Sequence, residues 1–372
     1  MNYDFPVINN YSDVEPYIDD YFIVKEKNGV RFINYKNMSP ETFPPVVDYG
    51  TAVRREFRGI AFDVESGKVL SRPFHKFFNI NERPETENID FGEYHWVDEK
   101  LDGSMVRPIR HPSGAIRWCT KAGITDVALQ AEVFVANNPK YQKFVEDYLD
   151  YGCTPIFEYI GPNNKIVLDY DQEAMVLLAI RDNKNGKYMD VPSEFSTDWG
   201  IPNAAPVDYP EENQEGTEGV VITFLDGHKV KVKTEWYVLR HKGKELIENE
   251  RKVVGMILDN TLDDVLPLVS EEQRNVLRRF EVNLLYDINK LQMNLDVMKQ
   301  FIFDEYKTRK DYAISCNGKF KWFDRYVFMK YDGKNVDPME FVREHVKKNL
   351  TTQTKYEDMK KQLGLPTLEK VV

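Results

Sequence analysis

The chain changes its sequence pattern about two thirds of the way along, and this change most limits the folds it can adopt. Up to about residue 245, short apolar runs are separated by Gly, Pro, Asn and Asp, as in the strands and turns of antiparallel sheets. From Leu246 onward, apolar residues recur every three or four positions, as on the buried face of a helix. Because a single core for 372 residues would be exceptional, we predict an α+β domain over residues 1–245 and an all-helical domain over residues 246–372.

The apolar runs and turn residues place individual elements. We expect strands over five runs, residues 59–64, 115–119, 156–160, 175–180 and 220–224. A helix is expected from Asp126, as its N-cap, to about Tyr151, with a break at Asn138 and Pro139. Ser270, which two glutamates follow, predicts the start of a long helix.

The composition is that of a globular protein in a reducing compartment. Hydrophobic residues make up 42% and aromatic residues 13%, which is enough to form packed cores. The longest uninterrupted apolar run, Ala174 to Ile180, is far too short to cross a bilayer, and the first residues lack the pattern of a signal peptide. The three cysteines are widely spaced and odd in number, which argues against a disulfide framework. We therefore expect a cytoplasmic protein without membrane contact, and no protein partner is evident.

Charge is distributed unevenly along the chain. The net charge is −11, but residues 241–372 hold 24 Lys and Arg against 22 Asp and Glu, a net of +2. Residues 1–240 hold 26 basic against 39 acidic residues, a net of −13. An acidic protein can still bind a polyanion where its cations converge on one groove, so the positions of the lysines are decisive.

The sharpest motif is EKLDGS, residues Glu99–Ser104. Asp-Gly is first of all a turn dipeptide, and Lys100 could be an ordinary exposed lysine at the end of a strand. The chemical interpretation is a lysine held at a tight turn, where backbone N–H groups approach an anion. Its amine, once deprotonated, is a good nucleophile.

A second set of charged residues surrounds a predicted hairpin. Glu218 begins its first strand, and the chain returns through KVKVK, where strand alternation places Lys229, Lys231 and Lys233 on one face. That face could be a solvated strand edge whose lysines discourage aggregation. Alternatively, it is a row of cations for a chain of phosphates.

Further charged residues occupy unusual positions. Glu158 lies in an apolar run, so it either faces solvent or binds a ribose hydroxyl or a metal. Arg58 and the segment Ser71–Asn79 combine cations with aromatic rings, which could fold over a nucleotide or lie on the surface. Asp263 and Asp264 could bind a metal or mark the start of a helix.

Taken in chain order, these motifs form the series Arg58-Gly59, RPFHKFFN, KLDGS, FEY, EGVV and KVK. The series resembles the covalent nucleotidyltransferase superfamily of RNA ligases, DNA ligases and capping enzymes. It is most similar to the phage tRNA-repair RNA ligases, of the ATP-dependent RNA ligase 1 type, over about Tyr35 to Tyr237. The resemblance implies an antiparallel-sheet, ATP-grasp-like nucleotidyltransferase domain, followed by a helical domain that recognises RNA.

The resemblance also implies the reaction. Lys100 would attack the α-phosphate of ATP in the presence of Mg²⁺, or Mn²⁺, and retain AMP as a lysyl phosphoramidate. AMP would pass to the 5′-phosphate of an RNA end, and the 3′-hydroxyl of another end would then seal the strand. The implied partners are RNA ends, in particular those of a tRNA cleaved in its anticodon loop. The implied location is the cytoplasm, that of an infected bacterium if a phage encodes the chain.

The site residues follow from the motifs. Lys100 is implied to be the catalytic nucleophile. The implied nucleotide-binding residues are Tyr35, Arg58, Lys76, Asp102, Gly103, Lys121, Glu158, Lys231 and Lys233. The candidate metal ligands are Glu158 and Glu218, together with the separate acidic pair Asp263 and Asp264.

The series departs from the family pattern at one point and leaves alternatives. Many relatives carry an aromatic residue after the FEY strand that stacks on adenine, whereas residues 175–178 here are aliphatic. The alternatives are a DNA ligase or capping enzyme, and an inactive relative that only binds nucleotides or RNA ends. DNA ligases and capping enzymes usually continue into a small β-barrel after KVK, whereas this chain turns helical. Because every charged motif residue is also present, we favour an active RNA ligase.

Overall fold

The computed structural model describes residues 4–89, 91, 95–190, 198–211, 213–316 and 321–369. The chain forms two compact units, one through Val238 and the other from Leu239 onward. The structure divides the chain after Val238, whereas the sequence predicts a division after residue 245. Both positions lie within the helix Glu235–Ile247. The first unit is α+β, and the described regular structure of the second is helical.

The strands of the first unit are β1 (Phe22–Lys27), β2 (Val30–Tyr35), β3 (Arg58–Asp63), β4 (Val69–Ser71), β5 (His95–Glu99), β6 (Ser104–Arg110), β7 (Ile116–Cys119), β8 (Cys153–Ile160), β9 (Ala174–Asp182), β10 (Tyr188–Met189), β11 (Gly219–Phe224) and β12 (Lys229–Lys233). They form three antiparallel sheets with the orders β1-β2-β3-β4, β10-β9-β8-β6-β7 and β12-β11-β5. The five apolar runs correspond to β3, β7, β8, β9 and β11, so these predictions are confirmed.

The first unit contains helices α1 (Tyr49–Arg54), α2 (Asp126–Ala136) and α3 (Pro139–Asp150). The predicted break at Asn138 and Pro139 is confirmed, but the prediction of Asp126 as N-cap is wrong by one residue. Thr125 has the extended backbone of a cap, and its hydroxyl accepts a hydrogen bond from Ala128 N at 3.4 Å. The apolar sides of α2 and α3 pack on the five-stranded sheet, in a core that includes Ala131, Phe144, Phe157, Tyr159 and Met175.

The remaining helices are α4 (Glu235–Ile247), α5 (Glu250–Asp259), α6 (Glu271–Glu305), α7 (Arg309–Ser315), α8 (Asp324–Tyr331), α9 (Pro338–Asn349) and α10 (Gln353–Leu363). The predicted start of α6 is confirmed, because Ser270 and Gln273 form a reciprocal capping box. One face of α6 packs with α5, α9 and α10 in the core of the second unit. In the described part of the chain, no helix combines the length and hydropathy needed to span a membrane.

Candidate active site

All three sheets of the first unit contribute side chains to one cavity of about 220 Å³. Its charged lining consists of Arg58, Lys76, Asp98, Glu99, Lys100, Glu158, Lys229, Lys231 and Lys233. The cations outnumber the carboxylates in this set, although residues 1–240 are acidic as a whole. The cavity is therefore suited to an anionic ligand.

The pairing of β5 with β11 places Lys100. The backbone N–H of Lys100 donates to the carbonyl oxygen of Gly219 at 2.9 Å. On its other side Gly219 packs closely against β12, where glycine is required because a Cβ at Gly219 would lie 1.9 Å from the carbonyl oxygen of Val232. Since β11 lies between β5 and β12, Lys100 and Lys233 flank the same end of β11.

Glu218, immediately before β11, pairs with both lysines. Its Oε2 lies 2.7 Å from Lys100 Nζ, and its Oε1 lies 2.8 Å from Lys233 Nζ. The Glu218 side chain is only 4% exposed, so water and salt screen these contacts weakly. Glu218 therefore holds the Lys100 amine at the cavity wall, and the Lys100 side chain keeps 23% of its surface exposed.

Glu158 lies inside the first unit, so its interpretation as a solvent-facing strand residue is wrong. It belongs to β8, whose residues are all buried, and its Oε1 accepts a hydrogen bond from Gly103 N at 3.2 Å. A Cβ at Gly103 would lie 2.4 Å from the carbonyl oxygen of Tyr159, so the DG turn must contain glycine here. Burial raises the pKa of Glu158 to about 7, although the nearby Lys100 opposes that shift.

The phosphate-binding candidates crowd their positive charges together. Burial, with Lys231 and Arg58 nearby, lowers the pKa of Lys76 to about 6. Burial, with Lys233 and Lys100 nearby, lowers the pKa of Lys231 to about 8. Desolvation and like charge both favour the neutral amines, so a bound polyanion would relieve the repulsion.

Asp102 supports the site from behind and does not line the cavity. Its Oδ2 accepts hydrogen bonds from Val167 N at 2.7 Å and Leu168 N at 2.6 Å. Its Oδ1 accepts one from the Tyr237 hydroxyl at 2.6 Å, and its own N–H donates to the Tyr170 hydroxyl at 3.0 Å. Asp102 therefore fixes the turn that follows Lys100, which is a positioning role.

Tyr35 lines the cavity, and Lys121 reaches its edge through Tyr35. The Lys121 ammonium donates to the Tyr35 hydroxyl at 3.1 Å and lies 5.0 Å from the centre of the ring. Lys121 itself is exposed. The loop of Lys121 also touches β3 closely, because a Cβ at Gly59 would lie 2.6 Å from the Lys121 Cα.

Asp263 and Asp264 lie in the second unit and are not among the residues that line the cavity. They belong to a short 3₁₀ turn, Leu262–Asp264, and Asp263 pairs with Arg278 at 2.5 Å on the surface. This arrangement matches the interpretation as acidic residues at a helical turn.

The carboxylates near Lys100 suit a metal that arrives with phosphate. In the described residues no group of three or more His, Cys, Asp or Glu side chains is arranged to hold a metal ion. Glu158 and Glu218 remain as two oxygen donors beside the cations. Mg²⁺ commonly binds through one or two carboxylates and takes its other oxygens from water and substrate phosphates. The residues therefore fit a hydrated ion shared with a nucleotide.

The segment Ser71–Asn79 contributes one buried structural residue, Arg72, and one residue of the cavity, Lys76. The guanidinium of Arg72 is fully buried and donates to Glu56 at 3.0 Å, and Arg181 on β9 lies 2.7 Å from the same carboxylate. The interpretation of this segment as a surface strand is therefore wrong for Arg72. Further along, Lys76 reaches the cavity, where its Nζ lies 4.5 Å from the centre of the Phe78 ring.

Several lining residues could not be found from motifs. Asp98 lies on β5 directly before the EKLDGS motif, so proximity to the motif was an available signal. Glu99 belongs to the motif itself. Part of the apolar lining also belongs to the motif segments, namely Phe74, Phe77, Leu101 and Val221. The rest lies outside the motifs, namely Met105, Leu178 and Ala204.

Comparison with known proteins shows which family this chain resembles. A family model described as RNA ligase matches residues 56–237. A putative RNA ligase of Thermovibrio ammonificans is 31% identical over 285 residues, covering 72% of this chain and 73% of that protein. RNA ligase 1 of bacteriophage TS2126 is 26% identical, and the match covers 65% of this chain and 64% of the phage protein.

A solved structure of an archaeal ATP-dependent RNA ligase is also similar. Its sequence identity is 17% and its TM-score is 0.43, and the match covers 64% of each chain. The chain thus spans slightly less than two thirds of both the phage and the archaeal protein.

Proposed function

Because the chain belongs to the RNA ligase family, we propose that it joins RNA ends in an ATP-dependent reaction that proceeds through a lysyl-AMP intermediate on Lys100. One observation carries the proposal. The Lys100 amine, held by Glu218 at 2.7 Å, lies at a cavity lined by Arg58, Lys76 and the β12 lysines, whose positive charges a bound phosphate chain stabilises. A nucleophile beside a cluster of cations suits attack on a phosphate.

In the first step, the neutral amine of Lys100 attacks the α-phosphorus of ATP. An N–P bond forms, the bond between the α-phosphorus and the bridging oxygen breaks, and pyrophosphate leaves with the electron pair. The amine loses a proton to water, and AMP stays attached as a phosphoramidate. Glu218 orients the amine, since its two oxygens hold Lys100 and Lys233 together.

The cations position the phosphates in this step. Lys76 and Lys231 are largely desolvated, so their charges act through little water once phosphate is bound. Arg58 adds a charge on β3. Glu158 and Glu218 would hold a divalent ion, Mg²⁺ or Mn²⁺, which when bound with ATP neutralises the leaving pyrophosphate.

The next two steps transfer AMP and seal the strand. The 5′-phosphate of an RNA end attacks the lysyl-AMP phosphorus, the N–P bond breaks, and the amine regains its proton. The 3′-hydroxyl of another RNA end then attacks the 5′-phosphorus and releases AMP. On the resemblance to phage tRNA-repair ligases, we assign tRNA cleaved in its anticodon loop as the natural substrate. We assign the cytoplasm as the location on the same resemblance, and the described cysteines, which are free, agree with it.

Intact-mass measurement tests the intermediate. The wild-type protein with ATP and Mg²⁺ should gain the mass of one AMP, and Lys100→Ala should gain none. Lys143→Ala, which removes an exposed lysine on α3, is the matched control and should be labelled like wild type. Lys100→Ala should still seal an RNA supplied with an adenylylated 5′ end. Labelling of Lys100→Ala at the wild-type level would refute the proposal.

A further inference from the structure

Helix α6 carries apolar residues on two opposite faces. Its inner face is buried in the core of the second unit through residues such as Leu277, Leu284, Ile288 and Leu295. Its opposite face carries a second set of apolar residues that are 65–70% exposed, here called the outer stripe: Val282, Tyr286, Met293, Val297 and Phe301. A surface helix ordinarily presents polar residues to water on this face, so the outer stripe needs a partner.

The outer stripe extends over more than five turns of the helix, with the exposed Lys290 inside its arc. At about 100° per residue, its five side chains fall within an arc of about 100°. At about 1.5 Å per residue, the stripe from Val282 to Phe301 is about 28 Å long. The exposure values show that no described residue of the second unit covers it. Its dimensions match the contact face of a helix that packs along another helix.

We propose that the outer stripe is an interface between two copies of this chain, with their α6 helices packed antiparallel. The stripe is self-complementary in this orientation. Placing Val282 opposite Phe301 also places Tyr286 opposite Val297, so apolar side chains meet in both halves of the contact. A two-fold axis near residues 291 and 292 generates both halves of the interface. Near the two-fold axis, Met293 meets Lys290, whose aliphatic stem can cover it.

The charges at the ends of the stripe favour the same arrangement. Arg278 and Arg279 precede it, and Asp304 and Glu305 follow it. Antiparallel pairing puts the arginines of one copy opposite the carboxylates of the other, whereas parallel pairing would place like charges together. The arginines now pair with Asp263 and Glu369 in exposed contacts, which exchange at little cost.

The same features select a second copy over RNA as the occupant. RNA binding needs cations along the contact. Within the arc of the stripe Lys290 is the single lysine, and the two arginines at one end are balanced by the two carboxylates at the other. Side chains of this size bury about 100 Å² each, so the stripe would bury about 500 Å² per copy and about 1,000 Å² in total. This area is at the lower limit for specific interfaces, so we expect a reversible dimer with a micromolar dissociation constant.

Sedimentation velocity of the full chain, from about 1 to 100 µM, tests the proposal. The wild-type protein should shift from monomer to dimer over this range. Val297→Lys and Tyr286→Glu should each remain monomeric, because each puts a charge against an apolar side chain of the other copy. The control Val133→Lys makes the same change at a valine of α2 that is 63% exposed, and it should dimerise like wild type. Circular dichroism should show unchanged helix content in every variant.

The double variant Tyr286→Glu with Val297→Lys distinguishes the orientation. In the antiparallel pair each glutamate faces a lysine of the other copy, so dimerisation should return. In a parallel pair glutamate faces glutamate and lysine faces lysine, and dimerisation should stay lost. A wild-type protein that is monomeric at 100 µM, a dimer insensitive to Val297→Lys, or a loss of RNA binding in stripe variants of a monomeric protein would each overturn the proposal.

Discussion

Lys76 is the side chain whose protonation depends most on what the cavity contains. With its pKa lowered to about 6, most of its amine is neutral in the free protein at about pH 7.5. A bound triphosphate places negative charge beside the amine and raises its pKa again. Binding therefore takes up a proton.

We expect ATP binding to weaken as the pH rises above about 6, by up to about tenfold per pH unit, because the neutral amine must gain a proton before it pairs with phosphate. Isothermal titration calorimetry in two buffers of different ionisation enthalpy measures the proton uptake. Lys100→Ala is the suitable background, because no covalent transfer follows binding. Measurements between about pH 7.5 and 8.5 avoid titration of the triphosphate itself.

Lys76→Arg on that background is the control. Arginine keeps the cation but does not titrate in this range. It should bind ATP more tightly than the lysine protein above about pH 7, because no proton has to be gained, and lose close to one proton of uptake. The contribution of Lys231, whose pKa is about 8, remains. Equal proton uptake by both proteins would mean that Lys76 is already charged in the free cavity.

Asp102 marks the limit of what a motif reveals about one residue. The KLDGS pattern predicts a tight turn, and it also suggested that Asp102 approaches the nucleotide. In the structure the carboxylate is buried and occupied by Val167, Leu168 and Tyr237. These partners lie 65 to 135 residues away in the sequence, and no local pattern encodes which segment crosses behind the turn.

At the scale of one element, we expect the three lysines of β12 to differ in role. Lys231 and Lys233 serve AMP transfer, whereas Lys229 mainly serves packing. Lys231→Ala and Lys233→Ala should each slow AMP transfer by about a hundredfold, which corresponds to about 3 kcal/mol for one cation at a transferring phosphate. Lys229→Ala should slow it less, because the Lys229 ammonium is already held by the Thr223 hydroxyl at 2.7 Å. Single-turnover transfer from ATP to the protein measures all three.

Thermal unfolding provides the second readout for β12. Lys229 is 5% exposed and lies near Asp98, so its removal leaves a partly buried carboxylate without that cation and should lower the melting temperature most. Lys187→Ala, at an exposed lysine, is the control for both measurements. Wild-type transfer rates in the Lys231 and Lys233 variants would mean that β12 is an edge strand without a role in the transfer.

Element prediction succeeded where the signal was local. Alternation placed the three lysines of β12 on one face, and short apolar runs located the strands, because both depend on neighbouring residues. Burial depth along β12 could not be read in this way. It depends on which segments pack over the strand, such as the rings of Phe74 and Tyr188 near Lys229, and these lie far away in the sequence.

At the scale of the whole molecule, we expect the two units to divide catalysis from RNA selection. A chain that ends at Ile247, after α4, contains every residue of the cavity and should retain adenylylation of Lys100. It should lose the preference for cleaved tRNA over unstructured RNA, because the removed part is nearly neutral and repels phosphates less than residues 1–240.

Two measurements make the truncation decisive. Circular dichroism must show that the shortened protein is folded, since the cut exposes apolar residues of the second unit's helices. Sealing of tRNA halves and of unstructured RNA is then compared with the full chain at two salt concentrations. Unchanged discrimination in a folded, adenylylated truncation would place RNA selection in the first unit.

The hydrogen bond between Tyr237 and Asp102 also determines when, during translation, the site can be completed. A ribosome makes Asp102 first and needs 135 more residues to reach Tyr237, which takes on the order of ten seconds at about 5–20 residues per second. The turn that orients the Lys100 amine thus gains its last support only when the first unit is fully synthesised. A nascent chain released before that point carries the nucleophile without the clamp behind it, so catalytic competence arises late in translation.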